Sequence, residues 1–367
     1  MHHHSERVYN FSAGPAVLPK VVLERIASEM ISLPGVGSSI LEVSHRGKVF
    51  TEYLNRARDG LRNTLKVPDE YEILFLQGGS RLQFAMLPMN FLRGTQKKAA
   101  YAVTGSWGKQ ALAEAERLGK AECVWSGEDQ GFVDLPTAPF QLDANDYSYF
   151  YYVSNETIQG LQFPGEPQAG DVPLICDASS DFLHKPIDIN RYGIIYACAQ
   201  KNAGPAGLTI VIIRKEMIPS GNSDLPGYLD YHAHAANGSL FNTPPTFAIY
   251  VFALVIEWLN GEAGGLERMY ELNHRKAKLL YDVIDRFQGV YRGHAKAECR
   301  SVMNVVFNFL DESLKEKFLM GAETAGLTSL AGHRSVGGIR ASIYNAMPLE
   351  GVEKLADYMF DFAESNG

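Results

Sequence analysis

Cysteine is scarce in this chain of 367 residues, which contains four. Cys123, Cys176, Cys198 and Cys299 form no C-x-x-C pair, the spacing that is typical of structural zinc sites and dithiol redox motifs. Two of the four fall in apolar, strand-like runs. We therefore expect buried, reduced thiols rather than disulfides, a pattern that favours a cytoplasmic protein.

Long apolar runs and an excess of basic residues are also absent. The longest apolar run, Phe247 to Ile256, is too short to span a bilayer, and no signal peptide is visible. The formal net charge is −8 at pH 7, so we expect neither nucleic acid nor an anionic membrane as a partner. Residues 1–4, Met-His-His-His, resemble the remnant of an affinity tag and are left out of the fold prediction, whether or not they are native.

The chain also lacks the motifs of several large enzyme classes. It has no G-x-G-x-x-G or G-x-x-x-x-G-K-[ST] phosphate loop, no H-E-x-x-H and no G-x-S-x-G. These absences disfavour dinucleotide-binding, Walker-type, zinc-protease and serine-hydrolase functions. His232 and His234 form an H-x-H pair without a nearby third ligand, so we predict no metal site.

Between residues 65 and 213 the chain instead alternates β-rich and helical segments. Strands are predicted at 72–76, 99–103, 147–153, 173–176, 193–199 and 208–213, with helices after the first two. Several of these runs are apolar on both faces, which is typical of buried parallel strands. The pattern predicts an α/β domain with a mostly parallel, helix-covered mixed sheet, whose ligands bind at the carboxyl ends of its strands.

A second, smaller α/β pattern follows a break at residues 262–265. An apolar helix over 247–259 precedes the break, and a long charged helix follows it. Further strands are predicted at 303–310 and 338–344, and further helices at 315–325 and 349–363. We therefore predict a large domain over residues 16–260 and a small C-terminal domain over 261–367, with residues 1–15 as an N-terminal segment associated with the small domain.

Two of the predicted strands end in residues that are suited to chemistry. An apolar run leads directly into Lys201, and burial lowers the pKa of a lysine amine, whose neutral form can make a Schiff base. Asp177 ends another run, where a carboxylate can pair with a protonated pyridine nitrogen. Taken singly, Lys201 is more simply a surface lysine and Asp177 a helix or turn cap. Their occurrence together at two strand ends favours a site for pyridoxal phosphate.

Three further strand ends fit such a site. Residues 77–81 follow a strand with two glycines and open a helix, a geometry that binds phosphate, here with Ser80 and Arg81. Trp107 could stack on a flat cofactor, and the Thr157 hydroxyl could bond its ring oxygen. An ordinary strand-to-helix turn, a structural tryptophan and a turn threonine are the simpler alternatives.

Basic residues suited to an anionic substrate occur in three places. They are His45 and Arg46 near the N-terminus, and His333, Arg334 and Arg340 in the predicted small domain. Arginine binds carboxylate and phosphate groups through two hydrogen bonds at once. Solvated surface residues are the alternative for each, because the sequence does not show whether they cluster.

Longer stretches of the chain resemble the phosphoserine aminotransferases almost from end to end. The resemblance is carried by NFSAGPA at 10–16, EVSHRG at 42–47, AQKNAGPAG at 199–207, GSLFNTPPT at 238–246, GHR at 332–334 and RASIYNA at 340–346. It implies a fold-type I, class V pyridoxal-phosphate transferase that acts as a homodimer with active sites at the interface. Ser80 departs from the family pattern, since many relatives carry a smaller residue before Arg81.

The resemblance also implies roles for the candidate residues. Lys201 would be the Schiff-base lysine that transfers protons and Asp177 the pyridinium partner, with Trp107 on the ring and Thr157 at its hydroxyl. The implied phosphate contacts are Ser80, Arg81 and Gln200, with Asn242 and Thr243 from the other subunit. The implied substrate contacts are Arg340 for the α-carboxylate and His45, Arg46, His333 and Arg334 for the distal group.

The implied reaction moves an amino group between L-glutamate and 3-phosphohydroxypyruvate, giving O-phospho-L-serine and 2-oxoglutarate with ping-pong kinetics. A phosphorylated hydroxythreonine of vitamin B6 biosynthesis is an implied second substrate. The alternatives are another class V aminotransferase, such as the alanine–glyoxylate type, and a non-catalytic protein that binds pyridoxal phosphate. The additional cationic residues argue against the first alternative, and Lys201 with Asp177 argues against the second.

Overall fold

The computed structural model of the chain describes residues 7–220 and 224–367, so the Met-His-His-His start lies outside the described residues. Its helices are α1 (Lys20–Glu29), α2 (Lys48–Leu65), α3 (Gly79–Phe91), α4 (Ser106–Leu118), α5 (Ala199–Asn202), α6 (Tyr231–Ala236), α7 (Thr246–Asn260), α8 (Gly265–Arg286), α9 (Leu314–Thr324) and α10 (Leu349–Glu364). Its strands are β1 (Tyr9–Asn10), β2 (Tyr71–Leu76), β3 (Lys98–Val103), β4 (Ala121–Ser126), β5 (Tyr147–Val153), β6 (Asn155–Glu156), β7 (Leu161–Gln162), β8 (Leu174–Asp177), β9 (Ile194–Cys198), β10 (Thr209–Arg214), β11 (Tyr291–Gly293), β12 (Asn304–Phe309), β13 (Leu327–Thr328) and β14 (Ile339–Ser342).

The central sheet has seven strands in the order β2-β10-β9-β8-β5-β3-β4. Strand β10 is antiparallel to both of its neighbours, and the strands from β9 to β4 run parallel to one another. The interior strands β8 and β9 are buried along their whole length, as expected for parallel strands covered on both faces. The predicted α/β fold with a mostly parallel mixed sheet is therefore confirmed.

Helices cover both faces of this sheet. Helix α2 packs on one face together with α7, through an apolar stripe of Phe50, Leu54, Ala57 and Leu61. These residues recur every three or four positions, the spacing that places side chains on one side of a helix. Helices α3 and α4 cover the opposite face, where the core contains several tyrosines. Each large side chain buried in these layers stabilises the fold by roughly 1.5–3 kcal/mol.

A second core forms around the antiparallel sheet β11-β12-β14. Strand β1 pairs in parallel with β13, and Phe11 is buried in this core, so the N-terminal segment lies against the C-terminal part of the chain. Helix α8 contributes Leu266 to the first core and Leu280 to the second. Because one helix serves both cores, the predicted domain boundary after residue 260 stays a prediction.

The expectation that all four thiols are buried is wrong for Cys123. This residue lies on β4, at the edge of the sheet, and is exposed, whereas Cys176, Cys198 and Cys299 are buried and free. An edge strand has a neighbour on one side only, so its side chains are more accessible to water.

Within residues 7–220 and 224–367, no single helix is long and apolar enough to cross a membrane. Helices α7 and α8 together have the length and apolar composition of a membrane span, but the chain bends by 83° at their junction.

Candidate active site

Lys201 lies in α5, a single helical turn that follows directly on the carboxyl end of β9. Its Nζ donates a hydrogen bond to Thr157 Oγ1 over 2.6 Å and lies 5.4 Å from the centroid of the Trp107 ring. Burial lowers the pKa of the Lys201 amine, and the charge of Asp177 opposes this shift. A larger fraction of this amine is therefore neutral at pH 7 than in an exposed lysine.

Asp177 is the last residue of β8, the parallel neighbour of β9, and its side chain is buried. Its Oδ1 accepts from the Ser179 backbone N–H over 2.9 Å, and its Oδ2 accepts from the Tyr196 hydroxyl over 3.0 Å. Burial raises the pKa of Asp177, while these hydrogen bonds and the Lys201 charge lower it. The carboxylate is thus held rigidly at a strand end, close enough to Lys201 to interact with its charge.

The turn into α3 forms a second strand-end feature of the site. Gly78 adopts a left-handed conformation with φ 93°, and a Cβ there would lie 2.4 Å from Leu82, so the tight turn requires glycine. The Ser80 N–H and hydroxyl both lie 2.9 Å from Cys198 Sγ, and the hydroxyl lies 2.9 Å from Ser179 Oγ. Sulfur is a weak acceptor. The Ser80 donors in the first turn of α3 would therefore bind a phosphate group more strongly than they bind the Cys198 sulfur.

Glu156 fixes the start of α4, where Trp107 lies. Its carboxylate accepts from the backbone N–H groups of Trp107 (3.0 Å) and Gly108 (2.8 Å). A Cβ at Gly105 would lie 2.5 Å from Glu156 Cδ, so glycine permits this close approach. Burial raises the pKa of Glu156 to about 7, against the lowering effect of the two N–H donors. These two hydrogen bonds fix the position of the Trp107 backbone, although Glu156 is 49 residues further along the chain.

The Trp107 indole presents an unsatisfied donor. Its Nε1 is buried and has no hydrogen-bond partner in the part of the chain that the structure describes. The guanidinium carbon of Arg81 lies 5.8 Å from the indole centroid. A buried donor without a partner costs roughly 1–3 kcal/mol, a penalty that a bound ligand with an acceptor would remove.

These groups surround one cavity of about 370 Å³. The predicted site residues that line it are Ser80, Arg81, Trp107, Thr157, Asp177, Gln200, Lys201, His333 and Arg340. Arg340 lies on β14, so the second core contributes to a cavity that is otherwise built at the strand ends of the large sheet. Burial lowers the pKa of the Arg340 guanidinium.

The structure does not bring every predicted site residue to this cavity. Those that lie outside its lining are His45, Arg46, Asn242, Thr243 and Arg334. Asn242 Nδ2 donates to Gln77 Oε1 over 2.9 Å, and Arg46, Thr243 and Arg334 are exposed. A single chain leaves these residues outside the site, so their roles stay predictions.

Other lining residues were not predicted as part of the site. They are Ala13, Gly14, Val153, Asn155, Ile158, Ser179, Ser180 and Cys198, whereas Gly78 and Gly79, which also line the cavity, belong to the phosphate-binding turn predicted at 77–81. Ser179 and Ser180 follow Asp177 directly, so two small hydroxyl residues after a strand end were the available signal. A Cβ at Gly14 would lie 3.3 Å from Lys201 Cγ, and no local pattern reveals a contact between residues so far apart.

The residues at this cavity fit pyridoxal phosphate. Asp177 offers a buried carboxylate to the pyridine nitrogen, Lys201 offers an amine to the aldehyde carbon, and the Trp107 ring offers a flat surface with an unused donor. The first turn of α3 offers N–H groups to the phosphate. Within the two described ranges, no group of three His, Cys, Asp or Glu side chains is placed to hold a metal ion.

Comparison with known proteins identifies the family of this chain. The sequence profile of the family described as "Aminotransferase class-V" matches residues 8–355. The phosphoserine aminotransferase of Rhodopirellula baltica is 51% identical over 99% of this chain and 97% of its own length. That of Acidithiobacillus ferrooxidans is 50% identical over 99% of this chain and its entire length.

Solved structures lead to the same group of proteins. The phosphoserine aminotransferase of Bacillus circulans subsp. alkalophilus superposes with a TM-score of 0.95 at 45% identity, covering 99% of this chain and 100% of its own. The enzyme from Trichomonas vaginalis, solved with bound pyridoxal phosphate, gives 0.87 at 41% identity over 96% of this chain and 99% of its own. An alanine–glyoxylate aminotransferase from Nostoc gives 0.74 at 15% identity over 99% and 97% of the two chains, which shows a shared fold alone. The chain therefore belongs to the class V aminotransferases and, within that class, to the phosphoserine aminotransferase family.

Proposed function

We propose that this chain transfers the amino group of L-glutamate to 3-phosphohydroxypyruvate, giving 2-oxoglutarate and O-phospho-L-serine. The observation that carries the proposal is the cavity shared by Lys201, Asp177 and Arg340. It combines a desolvated amine, an anionic anchor for a pyridine ring and a cation for a substrate carboxylate. The high identity to named phosphoserine aminotransferases supports the same reaction.

The proposed cofactor-binding residues would hold the ring from several sides. Pyridoxal phosphate, when bound, supplies an electron sink for the negative charge that develops at the substrate Cα. Asp177 would pair with the protonated ring nitrogen and favour that charged form, because a buried carboxylate interacts strongly with a nearby cation. Trp107 would stack on the ring face, and Ser80, Arg81 and Gln200 would bind the phosphate together with the N–H groups of α3.

Lys201 acts as the acid and base of the reaction. Its desolvated amine would accept the substrate Cα proton at Nζ and later donate a proton again, so that one group serves as both base and acid. Thr157 holds the amine at 2.6 Å on the side of the cavity where Trp107 lies.

Arg340 and His333 bind the substrate from the side of the second core. Arg340 holds the α-carboxylate, which both amino-acid substrates and both oxo acids share. His333 lies on the cavity wall, where it would bind the distal carboxylate of glutamate or the phosphate of the other substrate. A pocket of several cationic donors accepts both groups, as ping-pong transfer between these substrates requires.

The proposal includes a homodimer. Asn242 and Thr243 would reach the cofactor phosphate of a second copy, since they lie outside the cavity of their own chain. The residues that complete the pocket for the distal group would be His45, Arg46 and Arg334.

A panel of amino acceptors tests the reaction. With the holoenzyme and glutamate as donor, we expect kcat/KM for 3-phosphohydroxypyruvate to exceed that for pyruvate or glyoxylate roughly 100-fold or more, because the smaller acids leave the distal cations unpaired. Preferred transfer from alanine to glyoxylate would contradict the proposal, and so would the absence of any half-reaction with glutamate. Phosphohydroxythreonine in the same panel tests the predicted second substrate.

A further inference from the structure

A row of buried tyrosines lies on one face of the central sheet and ends at Asp177. Tyr101, Tyr151 and Tyr196 come from β3, β5 and β9, and they belong to the core beneath α3 and α4. Tyr196 is paired in register with Asp177 across the parallel strands β8 and β9, so the two side chains project to the same face of the sheet. All three tyrosines are at most 1% exposed, and Asp177 is 2% exposed.

The hydrogen bonds that run from Tyr151 through Tyr196 to Asp177 have a fixed direction. Tyr196 donates to Asp177 Oδ2 over 3.0 Å, because an ionised carboxylate only accepts. Each phenol carries one proton, so Tyr151 must donate to the Tyr196 oxygen, which is 2.8 Å from its own. A chain of donors that all point one way polarises each bond along it. The charged form of Asp177 is therefore stabilised by two aligned hydroxyl groups rather than by one.

We propose that Tyr196, supported by Tyr151, is a positioning residue that stabilises the negative charge of Asp177 and thereby keeps the ring nitrogen of the cofactor protonated. This inference rests on the proposed function, in which Asp177 faces that nitrogen. Burial alone favours the neutral carboxyl group, so a carboxylate at this depth needs donors to stay charged. Without the Tyr196 hydroxyl, the shared proton moves towards Asp177, and the ring withdraws electrons from the substrate less strongly.

The test replaces Tyr196 and Tyr151 singly by phenylalanine, which removes the hydroxyl and keeps the ring. Each holoenzyme is prepared with pyridoxal phosphate that carries nitrogen-15 in its ring. We expect Tyr196→Phe to move the ring-nitrogen NMR resonance from the pyridinium position towards the neutral pyridine position. Its half-reaction with glutamate slows roughly tenfold. Tyr151→Phe shifts the resonance in the same direction by a smaller amount.

Tyr101→Phe is the matched control. Its hydroxyl pairs with Tyr149 over 2.8 Å in the same core, and its ring packs 4.8 Å from that of Tyr151, yet the tyrosine has no hydrogen bond to Asp177 among those of the described residues. The control thus loses an equally buried hydroxyl without changing the charge chain, and its resonance stays at the wild-type position. If the resonance shifts as much in Tyr101→Phe as in Tyr196→Phe, the shift comes from altered packing of the core, and the inference is overturned.

Asp177→Asn separates this inference from the function on which it rests. If Asp177→Asn leaves the resonance unchanged, Asp177 does not face the ring nitrogen, and the proposed cofactor geometry is wrong. If Asp177→Asn shifts the resonance and Tyr196→Phe does not, the role of the tyrosines alone is overturned. Should Tyr196→Phe fail to fold, Tyr151→Phe decides, since an unchanged resonance there contradicts the directed chain.

Discussion

The Lys201 amine donates to the Thr157 hydroxyl over 2.6 Å, although the two residues are 44 positions apart in the chain. Lys201 follows β9, and Thr157 follows the short strand β6 that comes directly after β5. The contact therefore depends on the arrangement of several sheet strands rather than on local sequence. It keeps the reactive amine beside the Trp107 ring, inside the cavity.

Replacing Thr157 by valine removes the hydroxyl that accepts from Lys201 and keeps the shape of the side chain. We expect the affinity for pyridoxal phosphate to fall roughly tenfold, since the hydroxyl is proposed to contact the ring hydroxyl and one such hydrogen bond is worth about 1–1.5 kcal/mol. A fluorescence titration of the apoprotein measures this dissociation constant. Thr324→Val, at an exposed position on α9, should leave it unchanged. Equal affinity of Thr157→Val and the wild type would rule out the ring contact.

Replacing Lys201 by alanine should abolish turnover. General acid–base catalysis contributes roughly 10²–10⁴-fold to rates, and the lysine has the additional role of nucleophile, so we expect a loss of at least 10³-fold. The rate of phosphoserine formation measures the effect, with Lys120→Ala at an exposed position as the control. Turnover at the wild-type rate in the Lys201 variant would refute the assignment.

Arg46 and Arg334 test the pocket for the distal group. We expect Arg46→Ala and Arg334→Ala to raise KM for 3-phosphohydroxypyruvate about 10- to 100-fold, because a charge-assisted pair with phosphate is lost, and to change cofactor affinity much less. Arg117→Ala, exposed on α4, is the control. If cofactor affinity falls as much as substrate affinity, the two arginines have a structural role instead.

Glu156 gives the site a pH-dependent contribution to stability. Its pKa rises from 4.5 to about 7 on folding, so between these values the folded state binds more protons than the unfolded state, and this contribution to stability falls as pH rises. Glu156→Gln lacks that proton. Its free energy of unfolding relative to the wild type should therefore increase by up to about 3 kcal/mol from pH 4.5 to pH 8.

Urea unfolding at several pH values measures this difference for Glu156→Gln. Glu116→Gln, which replaces an exposed glutamate on α4, should show no comparable trend relative to the wild type. If the stability of Glu156→Gln relative to the wild type instead decreases from pH 4.5 to pH 8, the pKa of Glu156 is lowered on folding rather than raised.

Buried strands that are apolar on both faces were predicted from the sequence more reliably than the strand at the exposed edge of the sheet. Strands β8 and β9 lie within one or two residues of their predicted bounds, because they are apolar on both faces. Strand β4 was missed because its residues, at the edge of the sheet, are exposed or half-buried and show no continuous apolar run. Helix α2 was also missed, although its apolar residues recur with helical spacing.

The candidate site also has residues that the sequence predicts and residues that it does not. Lys201 and Asp177 could be predicted because each ends an apolar strand and has the chemistry that one cofactor requires. Glu156 was not predicted as the group that holds the start of α4, since its contact with Trp107 joins residues that only the folded chain brings together. The approach of Arg340 to Lys201 depends on the packing of the second core against the first, which no local pattern encodes.

Borohydride reduction of the holoenzyme, followed by peptide mapping with mass spectrometry, tests the central claim most directly. The account predicts that one lysine per chain becomes stably linked to the pyridoxyl group and that this lysine is Lys201. A label on another side chain, or no label at all, would contradict it.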